Sequence, residues 1–407
     1  MRFQSSLSPQ QENFQQKIGR LELASRFRES PVQPGFRSIN PGRVFVGEHR
    51  RANSRKQIIT KSIWTLDAKL AHTCHQIAGR DNMRLLIAAA IALSSSATVG
   101  DQSMFVYSGM CNASAVAFIS DDHFVVANDE DNILRVYTQR NRDPISSLDL
   151  GAFIDTDNSG RESDIEGATR VGNRIYWISS HGTNKNGKAR PERRRIFATD
   201  IVPDSNGLSI RPVGNPYAGL IDDLVSETNL DAWKILSGGK TRPPKLGGLN
   251  IEGLATSPTG GLLIGLRSPV PMGYAAIIEL QNPDDVISGK TPRFSRTRFL
   301  NLGDDIGIRA MDQGEKPGSF IIVSGPVSGN PGAFQLLQWD IQMESIKPIK
   351  LDFGSLSPEA IVRVPGEAGR LHIVSDDGTR KVGGAKCEDL PEPEKRTFRT
   401  IEVRISE

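Results

Sequence analysis

The tetrapeptides Asp164-Ile165-Glu166-Gly167 and Asn250-Ile251-Glu252-Gly253 are two copies of one phrase. Three weaker copies read Gly307-Ile308-Arg309-Ala310, Ser357-Pro358-Glu359-Ala360 and Asn112-Ala113-Ser114-Ala115. Each copy opens a run of β-type residues, and most intervals between copies are near fifty residues. Self-similarity at this period is typical of a repeat architecture. The phrase therefore predicts five similar structural units.

A second set of residues follows the phrase at a nearly fixed offset. Fifteen residues after Ser114, Glu166, Glu252 and Arg309 stand Asp129, His181, Arg267 and Ser324. After Glu359 the equivalent residue is Asp376, seventeen residues on, because the intervening turn is longer. A hairpin of two equal strands produces such an offset. We therefore expect each phrase to open a strand and each second residue to end the next strand.

Each of the first four repeats contains four runs rich in β-branched and aromatic residues, bounded by Gly, Asn, Asp or Pro. The predicted strands are residues 115–120, 123–128, 133–138 and 145–150; 167–171, 174–179, 195–202 and 208–213; 253–257, 261–266, 275–280 and 294–302; 310–313, 319–323, 334–340 and 347–353. Four strands per radial repeat describe a β-propeller blade. The sequence predicts an all-β protein, a β-propeller of five four-stranded blades, with six blades as the alternative.

The fifth repeat offers only three strands, residues 360–364, 371–375 and 398–405. An unpaired edge favours unwanted pairing with other chains. Residues 103–107 form a β-type run that precedes the first repeat and has no blade of its own. We therefore expect this run to complete the last blade, so that the two ends of the domain close the ring.

Cys111 and Cys387 lie near this expected seam, one from each end of the domain. A disulfide between them would close a very long loop and contribute about 4–5 kcal/mol in the chain-entropy model. Two buried free thiols are the alternative.

One interval is longer than the others. Glu166 and Glu252 are 86 residues apart, whereas the other intervals are 50 to 57 residues. Removing residues 214–247 restores the common spacing, and residues 217–236 carry apolar side chains at helical spacing. We predict a helical insertion at about 214–247 between blades two and three. An extra blade is the alternative.

The first hundred residues differ in composition from the rest. Residues 1–82 are rich in Gln, Arg and Ser without a sustained period, which predicts disorder. A basic start at Met83, nine apolar residues (85–93) and a small-residue run up to Gly100 are typical of a secretory signal peptide. Nine apolar residues are too few for a membrane span. We expect translation to start at Met83, a signal peptide over 83–100 and a propeller over 101–407 in the periplasm or outside the cell. A buried or anchoring helix behind a cytoplasmic extension is the alternative.

The charge balance restricts the partners. The chain has 50 basic and 47 acidic residues among 407, a formal net charge of +3, and no block of Lys and Arg. This composition argues against a general nucleic-acid binder. A small-molecule ligand is one expected partner, and a protein or glycan is the alternative.

The strand order predicts a functional face. In a four-stranded blade, the start of the innermost strand and the end of the second strand lie on the same face. Ser114, Glu166, Glu252, Arg309 and Glu359 are therefore expected around one mouth of the central channel, with Asp129, His181, Arg267, Ser324 and Asp376 beside them. Asp377 and Arg380 follow in the last of these polar loops.

Three roles fit these residue types. Several carboxylates could hold Ca²⁺, which takes six to eight oxygen ligands. His181 beside Glu166 could act as a general base with its orienting carboxylate. Arg267, Arg309 and Arg380 could receive an anionic group. The structural alternative is that each Glu bonds backbone N–H groups between blades and that Glu252 pairs with Arg267. The sequence shows no zinc-ligand spacing, P-loop or nucleophile elbow.

Six segments together resemble a bacterial family catalogued as domain of unknown function 3616. They are residues 108–114, 127–132, 164–167, 180–182, 250–253 and 375–380, and the resemblance covers roughly residues 103–400. It implies a propeller-like fold and no particular activity, cofactor or partner. It also places residues 1–82 outside the family domain. Ala360 stands where the two strong copies have Gly, so a close backbone approach is less expected there.

Together these patterns predict an exported β-propeller whose polar face binds a small anionic or metal-bridged ligand. A metal-assisted hydrolase of phosphate esters, other esters or lactones is one hypothesis, by analogy of fold. A non-catalytic module that presents the face to a protein or glycan partner is the other.

Export is testable directly. Protein expressed from Met83 in a bacterial host should reach the periplasm and lose about 15–18 residues, as the signal-peptide pattern implies. N-terminal mass analysis of the periplasmic and cytoplasmic fractions measures this. An intact N-terminus on cytoplasmic protein would contradict it.

Overall fold

A computed structural model describes residues 99–155, 160–204, 207–226, 242–295, 297–328 and 334–406. The expected disordered extension, 1–82, lies outside the described residues. The expected signal peptide, 83–100, also lies outside them except for its last two residues, which begin the first strand.

Twenty strands of the described chain form five four-stranded antiparallel sheets. Strand β1 (Val99–Ser108) comes first and belongs to the last sheet. Blade 1 contains β2 (Ala113–Phe118), β3 (His123–Asn128), β4 (Ile133–Thr138) and β5 (Ser146–Asp149). Blade 2 contains β6 (Ile165–Val171), β7 (Arg174–Ser179), β8 (Ile196–Asp204) and β9 (Gly207–Tyr217).

Blade 3 contains β10 (Asn250–Thr256), β11 (Leu262–Ser268), β12 (Tyr274–Leu280) and β13 (Arg298–Asn301). Blade 4 contains β14 (Ile306–Gln313), β15 (Ser319–Pro326), β16 (Gln335–Asp340) and β17 (Ser345–Ile349). Blade 5 contains β18 (Pro358–Arg363), β19 (Arg370–Ser375), β22 (Thr397–Ile405) and β1. A small hairpin of β20 (Lys381–Val382) and β21 (Ala385–Lys386) lies between β19 and β22. The predicted five-bladed propeller is confirmed.

The core lies between the blades. The innermost strands β2, β6, β10, β14 and β18 contact one another in ring order, and β18 contacts β2. Every residue of β2 and of β15 is buried. A strand covered on both faces reads as a continuous apolar run rather than an alternating one. This burial explains runs such as Leu262-Leu263-Ile264 in β11.

The ring closes where the two ends of the domain meet. β1 pairs with β22 in antiparallel register, from Ser103 opposite Glu402 to Ser108 opposite Thr397. The predicted completion of the last blade by residues 103–107 is therefore confirmed. The strand runs further than predicted, since its first described residue is Val99.

The seam carries a disulfide. Cys111 Sγ and Cys387 Sγ are 2.04 Å apart, with their Cα atoms at 5.9 Å. Both residues are buried. The backbone N–H of Asp377 donates to the carbonyl of Cys111 at 2.9 Å. The disulfide therefore lies directly below the loop that begins at Asp376.

The insertion differs from its predicted bounds. Strand β9 extends to Tyr217, so residues 214–217 belong to blade 2 and not to the insertion. The described helix, α2, is Leu220–Ser226 and follows a shorter helix α1, Gly151–Ile154. The remainder of the predicted helix, residues 227–236, lies outside the described residues.

Two further corrections concern blade 3. Helix α3, Pro283–Ile287, follows β12 and was not predicted. The predicted strand 294–302 begins only at Arg298, because Phe294 forms an isolated bridge with Leu280. Within the described residues, the helices are all too short or too polar to cross a membrane.

Removal of the disulfide tests its contribution. The double variant Cys111→Ser, Cys387→Ser should lose about 2–5 kcal/mol of unfolding free energy, because the unfolded chain regains the entropy of a loop spanning 276 residues. Urea denaturation with and without reductant measures this. Reductant should lower the urea midpoint of the wild type and leave the midpoint of the variant unchanged. Equal midpoints for both proteins would contradict the prediction.

Candidate functional site

A β-bulge stands at the repeated position of every inner strand. The pairing register between the first two strands of each blade shifts across Ser114, Glu166, Glu252, Arg309 and Glu359. A bulge adds one unpaired residue and re-aims its side chain. The repeated phrase is therefore the sequence of a repeated bulge.

The bulge gives these side chains a route to the propeller axis. Side chains of a regular strand alternate between the two faces of the sheet. In a blade, both faces pack on neighbouring blades, so neither face points to the axis. Glu166, Glu252, Arg309 and Glu359 all line one cavity of about 560 Å³ at the mouth of the channel. The predicted gathering of these four residues on one face is present.

The cavity is wide at the mouth and narrow below it. Beneath the three glutamates lies a space of only about 10 Å³, lined by residues of all five inner strands, among them Ala115, Gly167 and Ala360. A volume of about 10–15 Å³ holds one water molecule. We call this narrow part the throat. Ala360 occupies the position of the repeated Gly. It is buried there, so the inner strand accommodates the methyl group at this position.

Two arginines compensate two of the glutamates. Arg267 Nη1 donates to Glu252 Oε1 at 2.8 Å, and Arg309 Nε lies 3.1 Å from Glu252 Oε2. Arg309 Nη2 also pairs with Glu359 Oε1. Burial and the nearby Arg267 lower the pKa of Arg309 to about 10. The expected pair of Glu252 with Arg267 is formed.

Glu166 has no such partner. Its carboxylate oxygen lies within 4.8 Å of carboxylate oxygens of Glu252 and Glu359. In the described part of the chain, no ion pair involves Glu166. Burial, followed by the negative charges of Glu252 and Asp164, raises the pKa of Glu166 well above its usual value. The ionised form of Glu166 is therefore held at a cost when no cation is present.

Asp129 and Asp376 line the same cavity. Asp129 N–H donates to the carbonyl of Asn112, and Asn112 forms a bridge with Asp376, so both loops are fixed to one residue. Burial raises the pKa of both carboxyl groups, well above the usual value for Asp129. One oxygen of Asp129, Oδ1, is buried and makes no hydrogen bond.

His181 does not reach the cavity. Its Nδ1 lies 2.8 Å from the carbonyl oxygen of Ser179, which fixes a proton on Nδ1 and leaves Nε2 as an acceptor. Nε2 is buried without a partner. Burial lowers the pKa of His181 to about 4, so the ring is neutral at pH 7. His181 makes no hydrogen bond to Glu166, so the geometry does not support a general base formed by this pair.

Asp377 and Arg380 also stand away from the cavity lining. Asp377 accepts hydrogen bonds from Arg380 Nε at 3.0 Å and from Arg399 Nη2 at 2.7 Å. Arg380 also donates to the carbonyl of Thr397. These contacts hold Asp377 and Arg380 within blade 5. They also occupy the guanidinium of Arg380, which was expected to bind an anion.

The two serines of the repeated positions do not line the cavity. Ser114 Oγ donates to the carbonyl of Ile165 at 2.6 Å and so joins blades 1 and 2. Ser324 is buried in β15, and its Oγ makes no hydrogen bond.

Several lining residues were not predicted. They are Lys245, Pro326, Phe334, residues 354–357 and Thr379. Residues 354–356 directly precede the last phrase and Ser357 begins it, so their place in the chain was a usable signal. Lys245 comes from the insertion, which has no repeat copy with which to align it.

The described chain is a five-bladed β-propeller with a carboxylate-rich cavity on one face. The family model described as "Protein of unknown function (DUF3616)" matches residues 112–200 and 218–372, more than half of the chain. The chain therefore belongs to this family. A search of curated proteins finds no match.

Solved structures with a related course of the chain include three proteins of low identity. Glutaminyl cyclase from Myxococcus xanthus is 11% identical, with a TM-score of 0.35, and covers 76% of this chain and 97% of its own. Virginiamycin B lyase from Staphylococcus aureus is 8% identical, with a TM-score of 0.33 and coverage of 74% and 99%. A luciferin-regenerating enzyme is 8% identical, with a TM-score of 0.33 and coverage of 72% and 77%. At these scores the likeness carries no argument for this chain.

The raised pKa of Glu166 predicts a pH dependence of stability. A carboxyl that binds its proton more tightly in the folded state lowers stability as pH rises from about 4.5, its unfolded value, through its folded value. In metal-free buffer, Glu166→Gln should therefore be more stable than wild type at pH 7.5, by more than about 1 kcal/mol, and similar to it at pH 4. Urea denaturation at both pH values measures this.

Glu279→Gln is the matched control. Burial opposes ionisation of Glu279, yet hydrogen bonds from Ser295, Ser257 and Thr259 hold its pKa below the usual value. Glu279 therefore stabilises the fold above its unfolded pKa, and this contribution is lost as pH falls. The Glu279→Gln variant should therefore have a lower free energy of unfolding than wild type at pH 7.5. The same sign for both variants would contradict the assignment.

Proposed function

We propose that the mouth cavity binds one divalent cation, with Ca²⁺ the best fit, at Glu166, Glu252 and Glu359. The observation that carries this proposal is the position of Glu166, an uncompensated carboxylate beside two others. Five carboxylates line the cavity, against Lys245, Arg267 and Arg309. When all are ionised, the excess is two negative charges, which one divalent cation would neutralise.

Distances favour a large cation. The three carboxylate oxygens lie within 4.8 Å of one another. Two oxygens bound to one Ca²⁺ at about 2.3–2.6 Å can be separated by up to about 4.6–5.2 Å. For Mg²⁺, at about 2.0–2.1 Å, the limit is about 4.2 Å. The bound of 4.8 Å is therefore compatible with Ca²⁺, whereas the shorter bonds of Mg²⁺ would require a closer approach of the oxygens.

The cation would hold a small ligand above the throat. The cavity of about 560 Å³ is in the range of small-molecule sites. Its lining also includes Phe334, Leu356 and Pro326, which suit an apolar part of a ligand. Hydrolysis of a phosphate ester, ester or lactone is the first activity to test, because a bound cation polarises such groups. Asp129 and Asp376, rather than His181, are placed to exchange protons with a ligand.

Export remains part of the proposal. A buried disulfide at the seam is a feature of proteins from oxidising compartments. It supports the signal peptide expected from Met83 onward.

A binding module is the second candidate. β1 is the outer strand of blade 5, and three consecutive residues on it are exposed: Met104 by 54%, Phe105 by 38% and Val106 by 45%. An apolar outer strand can accept a further strand from a partner protein. Under this alternative the mouth would bind no cation, and changes at Phe105 would alter partner binding.

Titration of the metal-free protein tests the proposal. Wild type should bind one Ca²⁺ by calorimetry and native mass spectrometry, more tightly than Mg²⁺. Glu166→Gln should lose at least about tenfold in Ca²⁺ affinity, since it removes the free charge of the site. Glu279→Gln neutralises a buried Glu away from the cavity and should bind as wild type does. Absence of binding by Ca²⁺, Mg²⁺ and Mn²⁺ to the wild type would sink the proposal.

A further inference from the structure

Arg309 pairs with two of the three glutamates of the proposed cation site. Its side chain is only 7% exposed, and its guanidinium contacts Glu252 and Glu359. Both of these glutamates are proposed ligands of the cation. A cation and this guanidinium therefore compete for the same two carboxylates.

The contact of Arg309 with Glu252 is poorly aligned. Arg309 Nε is 3.1 Å from Glu252 Oε2, yet both atoms are buried and neither makes a hydrogen bond. Arg309 Nη1 reaches Glu252 Oε1 only at 3.5 Å. Hydrogen bonds weaken steeply when misaligned. The pair is thus held mainly by charge, and a second cation can replace the guanidinium.

Glu252 keeps other partners when Arg309 leaves. Its Oε1 accepts from Arg267 Nη1 at 2.8 Å and from Asn250 Nδ2 at 2.6 Å. These contacts fix the carboxylate through Oε1 and leave Oε2 without a hydrogen bond. Arg267 is held further by a bond from Nη2 to the carbonyl of Val327 at 3.1 Å. Arg267 is therefore anchored, and Arg309 is the exchangeable cation.

The guanidinium of Arg309 already lies over an aromatic ring of the cavity lining. The Cζ of Arg309 lies 5.9 Å from the centre of the Phe334 ring, and both residues line the cavity of about 560 Å³. A guanidinium can stack on an aromatic face while its N–H groups remain free. Release from the glutamates would leave the guanidinium over Phe334 with its N–H groups available to the bound ligand.

We propose that Arg309 is an exchangeable counter-ion that couples the cation to an oxyanion of the ligand. In the metal-free protein it neutralises Glu252 and Glu359. When the cation takes these carboxylates, the released guanidinium binds a carboxylate or phosphate group of the ligand in the cavity. This inference rests on the proposed cation site and adds the class of ligand, a small molecule that bears an oxyanion.

The exchange has a thermodynamic signature. If the cation frees Arg309 for the oxyanion, the cation must raise oxyanion affinity, and the oxyanion must raise cation affinity by the same factor. Couplings of this kind are typically about 5–150-fold. A simple electrostatic cavity without exchange would bind the oxyanion through Lys245, with no requirement for Arg309.

Calorimetry with defined probes measures the coupling. Methyl phosphate and acetate are titrated into wild type with and without saturating CaCl₂, and CaCl₂ is titrated with and without each anion. Calcium should raise the affinity for at least one anion about tenfold or more, with an equal reciprocal effect. A preference for methyl phosphate or for acetate identifies the oxyanion as phosphate or carboxylate.

Variants assign the effect to Arg309. Arg309→Met should bind Ca²⁺ several-fold more tightly, because its competitor is gone, and should lose the coupling to the anion. Arg309→Lys keeps the charge without the forked donors, so its Ca²⁺ affinity should stay near wild type while the coupling weakens. Arg363→Met is the control, since Arg363 pairs with Glu315 and does not line the cavity. Arg363→Met should leave both the Ca²⁺ affinity and the coupling to the anion unchanged.

The outcomes separate the two proposals. Calcium binding without any change in anion affinity overturns the exchange and leaves the cation site standing. Coupling that persists in Arg309→Met also overturns it, because another group then receives the anion. Failure of the wild type to bind any cation overturns the proposed function and the exchange together. If Arg309→Met does not fold by circular dichroism, the wild-type coupling and Arg309→Lys still decide.

Discussion

The bulge at the start of each inner strand is the constraint on which the site depends. A propeller buries both faces of every blade, so a regular strand directs none of its side chains toward the propeller axis. The bulges re-aim one side chain per blade. Four of the five positions hold Glu166, Glu252, Arg309 and Glu359, which meet at the mouth. Half of the eight charged residues that line the cavity thus come from the bulge positions.

Placing these charges together creates the chemistry of the mouth. Carboxylates on one axis repel one another, and burial strengthens the repulsion. Ion pairs with Arg267 and Arg309 compensate the charges of Glu252 and Glu359, whereas Glu166 is left with a raised pKa. A structural role for the repeated Glu and a ligand-binding role are therefore compatible. The same ion pairs that hold the blades together leave one carboxylate free.

The sequence predicted the fold well because the fold is a repetition. Five phrases and a constant offset locate ten strands, and the leftover run 103–107 identifies the seam. The same periodicity located the four charged residues of the mouth. The periodicity could not predict the backbone conformation of the loop that follows the second strand of each blade. His181 has a left-handed backbone and a buried ring, and Arg380 is captured by Asp377. Lys245 belongs to an insertion outside the repeat, so no copy indicated its place.

The throat restricts what lies below the mouth cavity. Its space of about 10 Å³ has room for about one water molecule below the glutamates. A ligand in the mouth would therefore enter and leave on the same face. For the proposed site, this means that a molecule still bound would compete directly with the next one.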